Sequence, residues 1–204
     1  MGCQYDNSFI TGYAYGATLT NATMFATMDR LGSAQYLTRV GLLLDGNQGS
    51  SLDQAKQDWL EHAAWQPLRQ SVENMLILQD WYELFVAQNL VFDGYLYPLI
   101  KHIVDREFVA HGASAVSLLT SFMNEWFDET QPWVNAVIKT TAAESEHNRE
   151  QILQWIEKWQ AQVRPVVAEL LQLVAAQPED VALIEEVFTQ RLRKIGLIAK
   201  ESAA

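Results

Sequence analysis

The sequence predicts an all-α fold, a helical bundle. Three observations carry that expectation. Apolar residues return at helical spacing along most of the chain, no stretch alternates apolar and polar residues as a strand would, and turn residues gather in short clusters between long runs. With 204 residues, 49% of them apolar, the chain can bury a core without disulfides or metal, and it reads as one domain, 1–204.

Residues from about 15 to 44 place Met24, Phe25, Met28, Leu31 and Leu42 at helical spacing. The run stops at "LDGNQGSS" (44–51), where Asp45, Gly46, Asn47 and Gly49 supply turn and C-cap chemistry. Ser51 is placed to cap a short helix over 52–62. The segment 67–100 is apolar on nearly every side towards its end, which predicts a helix buried between neighbours. A further helix is expected over 113–130, with Pro132 at its end or at a kink, and another from near Thr141 to about Ala175. Pro178, Glu179 and Asp180 open the last helix, and the basic run "QRLRK" (190–194) before Gly196 suits its C-terminus as a charge cluster of Arg191, Arg193 and Lys194.

Composition narrows the function. A net charge of −11 and the lack of a basic face argue against nucleic acid. The single cysteine, Cys3, leaves no internal disulfide or cysteine-ligated cluster and fits a reducing cytoplasm. The start "MGCQYD" has no signal-peptide pattern, its sixth residue, Asp6, departs from the myristoylation pattern, and no apolar run reaches membrane-spanning length. Seven Trp, eight Phe and seven Tyr exceed what a core of this size needs, so Trp81, Tyr82, Tyr95 and Tyr97 are candidate contacts to other chains. Trp155 and Trp159, on one apolar stripe, read as core.

One short pattern points to metal. Glu144 and His147 form a Glu-x-x-His pair, and helical bundles use two such pairs plus two lone Glu to hold a pair of iron ions. Of His62, His102, His111 and His147, only the last has Glu three residues earlier, so one copy of the chain cannot complete such a site. The helical phase agrees. Ile152, Trp155, Ile156, Trp159, Val163, Val166 and Leu170 define the inward stripe, and His147 lies roughly 130° from it at ~100° per residue. The pair reads as a decoy on a hydrated first turn.

Four longer stretches, "FITGYAYGATLTNATMFATMDRLGSAQYLTRVGLLLDGN" (9–47), "DWLEHAAWQPLR" (58–69), "DWYELFVAQNLVFDGYLYPLI" (80–100) and "HNREQILQWIEKW" (147–159), together resemble one family. It is the β subunit of the hydroxylase component of bacterial multicomponent monooxygenases, of the phenol hydroxylase and toluene monooxygenase type. The resemblance implies a ferritin-like helical fold, related to a catalytic α subunit but without its metal site. It also implies an assembly with α and γ subunits and a second αβγ unit. A di-iron centre in α, a reductase delivering electrons from NADH and a small effector protein complete the system, which hydroxylates aromatic rings with dioxygen. No cofactor is expected in this chain itself, and no catalytic residue.

Laid on the α-type metal pattern, Arg30 stands where Glu is expected and Ser33 where His is expected, and Gln88 takes the place of a lone Glu. The last pair corresponds to Glu125 and Asp128, or to Glu144 and His147. No acid is evident within 18–27 for the first lone Glu. A cation such as Arg30 would repel iron, and a neutral amide cannot bridge two ions as a carboxylate does. Family β chains begin with a longer N-terminal arm, of which 1–14 reads as a remnant. The residues leave two functions open: a non-catalytic scaffold, or a stand-alone ferritin-like metal-binding oxidase using Glu83, Glu125, Glu144 and His147.

Overall fold

The computed structural model describes residues 2–174 and 176–199. Ala175, the expected end of one helix, Met1, the first residue of the 1–14 segment, and the last residues of the expected 1–204 domain lie outside them. The described residues are mostly helical, with no strand among them, and they divide into two compact units, Met1–Phe85 and Val86–Ala204.

The first unit holds α1 (Gly2–Tyr13), α2 (Ala17–Leu44), α3 (Ser50–Glu61), a short turn of tighter helix (Ala63–Trp65), α4 (Gln66–Leu76) and α5 (Trp81–Phe85). Residues 2–13 pack as α1 against α2, α4 and α5, burying Asp6, Asn7 and Ile10. Small side chains let α1 and α2 approach. The Thr11 and Thr23 hydroxyls lie 2.9 Å apart, and Thr27 donates back to the Thr23 carbonyl at 2.8 Å, so both buried hydroxyls are satisfied.

Two sequence expectations change here. Ser51 is not the cap of α3. Gly49, at φ +81°, occupies the N-cap, while the Ser51 hydroxyl donates to Asp45 at 2.9 Å and to the Gly41 carbonyl at 3.2 Å. Asp45 also accepts from the Gln48 and Ser51 amides, and these bonds, led by that from Ser51, hold its carboxyl below the usual range. The long helix expected over 67–100 breaks after Leu76. Asp80 restarts it by accepting from the Tyr82 and Glu83 amides at 2.8 and 3.2 Å, an N-cap that outcompetes continuation.

The second unit opens with a π-helical stretch, Val86–Phe92, followed by α6 (Asp93–Leu99), a second π-helical stretch (Ile100–Val104), α7 (Asp105–Ala110), α8 (Ser114–Glu144), α9 (Glu146–Leu173) and α10 (Pro178–Ile195). Every residue from Val86 to Tyr95 is buried, as the all-round apolar pattern predicts. Pro98, which cannot donate an amide hydrogen within α6, lies between the two wider π-helical stretches. The core joins Phe92 to Trp159 at 6.2 Å and Tyr95 to Phe188 at 4.7 Å between ring centroids. At Gly94 an added Cβ would come within 2.8 Å of the Phe188 ring, so only glycine lets α6 and α10 pack this closely.

Pro132 neither ends α8 nor starts a loop, because the helix runs on to Glu144. The helix expected from Thr141 instead begins at Glu146, after Ser145 turns fully extended (φ −159°, ψ 155°) and its hydroxyl accepts from the Asn148 amide at 3.1 Å. α10 begins with a capping box between Gln177 and Asp180 and ends at Gly196, at φ +79°. Among the described residues no helix is long and apolar enough to cross a membrane.

Candidate functional site

The Glu-x-x-His pair does not share a helix. Glu144 is the last residue of α8, His147 lies in the first turn of α9, and the extended Ser145 separates them, with both side chains exposed. Glu125 and Asp128 lie on the outer side of α8, exposed, and Asp128 accepts from the Lys101 ammonium at 2.9 Å. Nineteen residues of one helix separate Glu125 from Glu144, roughly 28 Å at ~1.5 Å per residue, too far to share a pair of ions. Glu83 is half-buried on α5 of the first unit.

The remaining candidates of the metal pattern occupy interiors, each in its own unit. In the first, Ser33 is buried and Arg30 half-buried on α2. Asp6, buried on α1, is an interior acid outside 18–27, with no apolar periodicity around it in the sequence to mark it as buried. In the second, Gln88 is buried on the π-helical stretch and donates to Asp93 at 3.2 Å. Asp93 in turn supports Arg191, which sequence spacing assigned to a surface charge cluster. Arg191 is only 7% exposed. Its Nε donates to Asn135 at 2.8 Å and its Nη1 to the Leu90 carbonyl at 3.3 Å. Burial lowers its pKa to about 10 and the negative Asp93 opposes that fall, so the guanidinium stays charged at neutral pH. The missed signal was Asp93 itself, an acid inside "NLVFDGYLYP" with no cation nearby in sequence.

These side chains do not fit a pair of iron ions. The interior positions offer a guanidinium, a hydroxyl and an amide already committed to Asp93, and the carboxylates of the last pair point away. Among the described residues no three His, Cys, Asp or Glu gather where they could hold a metal.

The aromatic candidates separate as well. Tyr95 cannot meet another chain, being 1% exposed. Its hydroxyl donates to Glu185 at 2.9 Å and accepts from Gln160 at 2.8 Å. Burial pushes its pKa up to about 12. Glu185 is desolvated, yet two bonds from Arg164, at 2.8 and 3.1 Å, and the one from Tyr95 hold it below the usual carboxylate range. Tyr97 is half-buried and stacks on Phe127 with ring centroids 4.4 Å apart. Trp81 and Tyr82, half-buried, continue a row of rings that begins at exposed Tyr15.

The largest surprise is α2. Of the apolar residues that announced the helix, Met24 is 49% exposed, Phe25 71% and Met28 52%, while Leu31 and Leu42 are half-buried; Leu43 is exposed at 61%. With Tyr36 the exposed ones fall within an arc of roughly 120° at ~100° per residue. The buried side carries Thr23, Ala26, Thr27, Ser33 and Val40. The result is an exposed apolar stripe on a helix already packed on its other side.

The family described as methane/phenol/alkene hydroxylase matches residues 1–145. The chain belongs to that family. Within it the chain is β-subunit-like. It is 44% identical over 204 residues to the phenol 2-monooxygenase oxygenase component DmpL of Pseudomonas sp. (strain CF600), covering 98% of this chain and 60% of that relative. It is 26% identical over 161 residues to the β subunit of the hydroxylase component of the toluene-4-monooxygenase system of Ectopseudomonas mendocina, covering 76% of this chain and 48% of that one. The crystal structure of phenol hydroxylase from Pseudomonas sp. OX1 superposes with a TM-score of 0.91 at 37% identity, over 95% of this chain and 59% of the other. The fold of this hydroxylase-family chain is therefore the ferritin-like one the resemblance implied. The chain spans about 60% of the length of DmpL.

Proposed function

We propose that this chain is the non-catalytic β subunit of the hydroxylase component of a cytoplasmic, phenol hydroxylase-type monooxygenase. In this reading the iron pair and the aromatic substrate belong to a catalytic α subunit. A γ subunit and a second αβγ unit complete the hydroxylase, and NADH-derived electrons arrive through a reductase under the control of an effector protein. The β chain contributes burial: its helices cover α and hold α's ligand-bearing helices in place.

The outward apolar face of α2 carries the reading. Burying a Phe, Met or Leu fully is worth about 1.5–3 kcal/mol. These side chains are half to three-quarters exposed, so each has roughly 1–2 kcal/mol left to gain on a partner. The side chains of the first unit and of the second support the non-catalytic half, since a guanidinium, a hydroxyl and an amide stand where the resemblance would put iron ligands.

The test is co-expression with a phenol hydroxylase-type α subunit. Phe25→Asp with Met28→Asp is expected to abolish co-purification while leaving the chain's own melting temperature unchanged, and Lys56→Glu on exposed α3 is expected to leave assembly intact. Full assembly of the double variant would refute the reading.

A further inference from the structure

The second unit holds a feature that the α2 face does not explain. Two adjoining cavities of about 680 and 460 Å³ run between α8 and α10 and share Gln131, Asn135 and Lys194. Together they form one groove. Lys139 and Lys194 line it as exposed cations, Arg193 is half-buried and paired with Glu186 at 3.3 Å, and Arg191 lies at its floor near Asp93. Asp128, at one end, is already paired with Lys101. In a chain of net charge −11, Lys139 and Lys194 give the groove a local positive character.

We propose that this groove binds a carboxylate-rich segment of a partner polypeptide. Three properties point to that occupant. The first is charge. Lys139 and Lys194 face the groove, and Arg191 stands behind it, buried beside Asp93. The second is length. From Asp128 to Lys139 the α8 wall runs roughly 16 Å at ~1.5 Å per residue, which matches about five residues of extended chain at ~3.3 Å each and far exceeds a single inorganic anion. The third is the lining between the cations. Gln131 and Asn135 carry amide groups that can donate to peptide carbonyls and carboxylates, and the Gln131 carbonyl can accept from a peptide amide. The proposal does not depend on the α2 face, and its test uses this chain alone.

Binding of fluorescein-labelled hexaglutamate, followed by anisotropy at low and at physiological salt, tests it. The wild-type chain is expected to bind the peptide, and Lys139→Glu with Lys194→Glu to weaken binding by about tenfold or more. The equally charged control, Arg39→Glu with Lys56→Glu, is expected to change it less than about twofold, and all chains to melt alike. No binding by the wild type, an equal loss in the control, or tighter binding of inorganic phosphate than of hexaglutamate at the same groove would each overturn the proposal. Co-purification of Lys139→Glu/Lys194→Glu with an α subunit reports on the proposed function separately.

Discussion

Helix α2 and the stretch 86–95 are both apolar in sequence, yet they use their apolar residues in opposite ways. In the second unit Val86, Leu90, Val91, Phe92 and Tyr95 all turn inward, together with a carboxylate and an amide, Asp93 and Gln88, that are buried beside them. In the first, α2 buries mainly hydroxyls and alanine, with Val40, and leaves Met24, Phe25, Met28 and Leu43 outside. A segment apolar all round supplies its own environment. On the proposed function, a helix that is mostly small and polar within and apolar without is completed by another chain. The difference then separates what holds this chain together from what would join it to others.

The first consequence concerns the interior of the second unit. Arg191→Met removes the buried cation that faces Asp93 and is expected to cost about 3–5 kcal/mol in urea unfolding. Adding Asp93→Asn should restore most of that loss, because the buried negative charge is then gone. A cost below about 1 kcal/mol for Arg191→Met would mean that water reaches the pair and that the interior is not what it is described to be.

Gly94→Ala comes next. The new Cβ meets the Phe188 ring on α10, and overpacking of this kind costs about 1–3 kcal/mol. By contrast, Phe25→Asp on α2 should change the stability of the isolated chain by no more than about 0.5 kcal/mol, since it alters an exposed side chain. Equal costs at the two positions would erase the contrast between the regions.

Acid should act on the second unit through Asp180 and Glu185. Hydrogen bonds from Arg106, at 2.8 and 2.9 Å, hold Asp180 low, and its burial only partly opposes them. Both carboxyls have folded values depressed below their unfolded ones. Their contribution is therefore fully present above the unfolded range, near pH 4, and is lost as pH falls through the lower folded values. Unfolding titrations between pH 6 and about 2.5 should show stability falling in that window, and Asp180→Asn should flatten the fall.

The smallest effect is expected at the motif that first suggested metal. His147→Ala alters an exposed first-turn residue of α9 and should leave both stability and the activity of the assembled hydroxylase unchanged, as steady-state turnover would show.

The helical class, the fully buried stretch after Val86 and both ends of α10 were legible because they rest on local rules: periodicity, a proline with acids at a helix start, glycine at its end. Two helix boundaries were not. At Ser145 and Asp80 a side-chain cap competes with continuation, and apolar periodicity runs on across both. The inner surface of α2 was hidden for a different reason. The buried threonines Thr23 and Thr27 are satisfied by their own helix's carbonyls, so burying them costs little, and a pattern of apolar residues then points to the wrong side. Arg191 was misplaced because its partners, Asp93, Asn135 and the Leu90 carbonyl, come from distant parts of the chain. The departures at Arg30, Ser33 and Gln88 were readable as residue types, whereas the outward positions of Glu125 and Asp128 needed the structure.

Hydroxyl-radical footprinting of the chain, alone and assembled with an α subunit, reads the α2 face side chain by side chain. Met24, Phe25 and Met28 should oxidise readily in the isolated chain and become protected by about tenfold on assembly, while Met75, buried in the first unit, stays unmodified in both. Unchanged oxidation of all three in a complex that contains the α subunit would show that α2 faces water there, and would contradict the scaffold reading at its source.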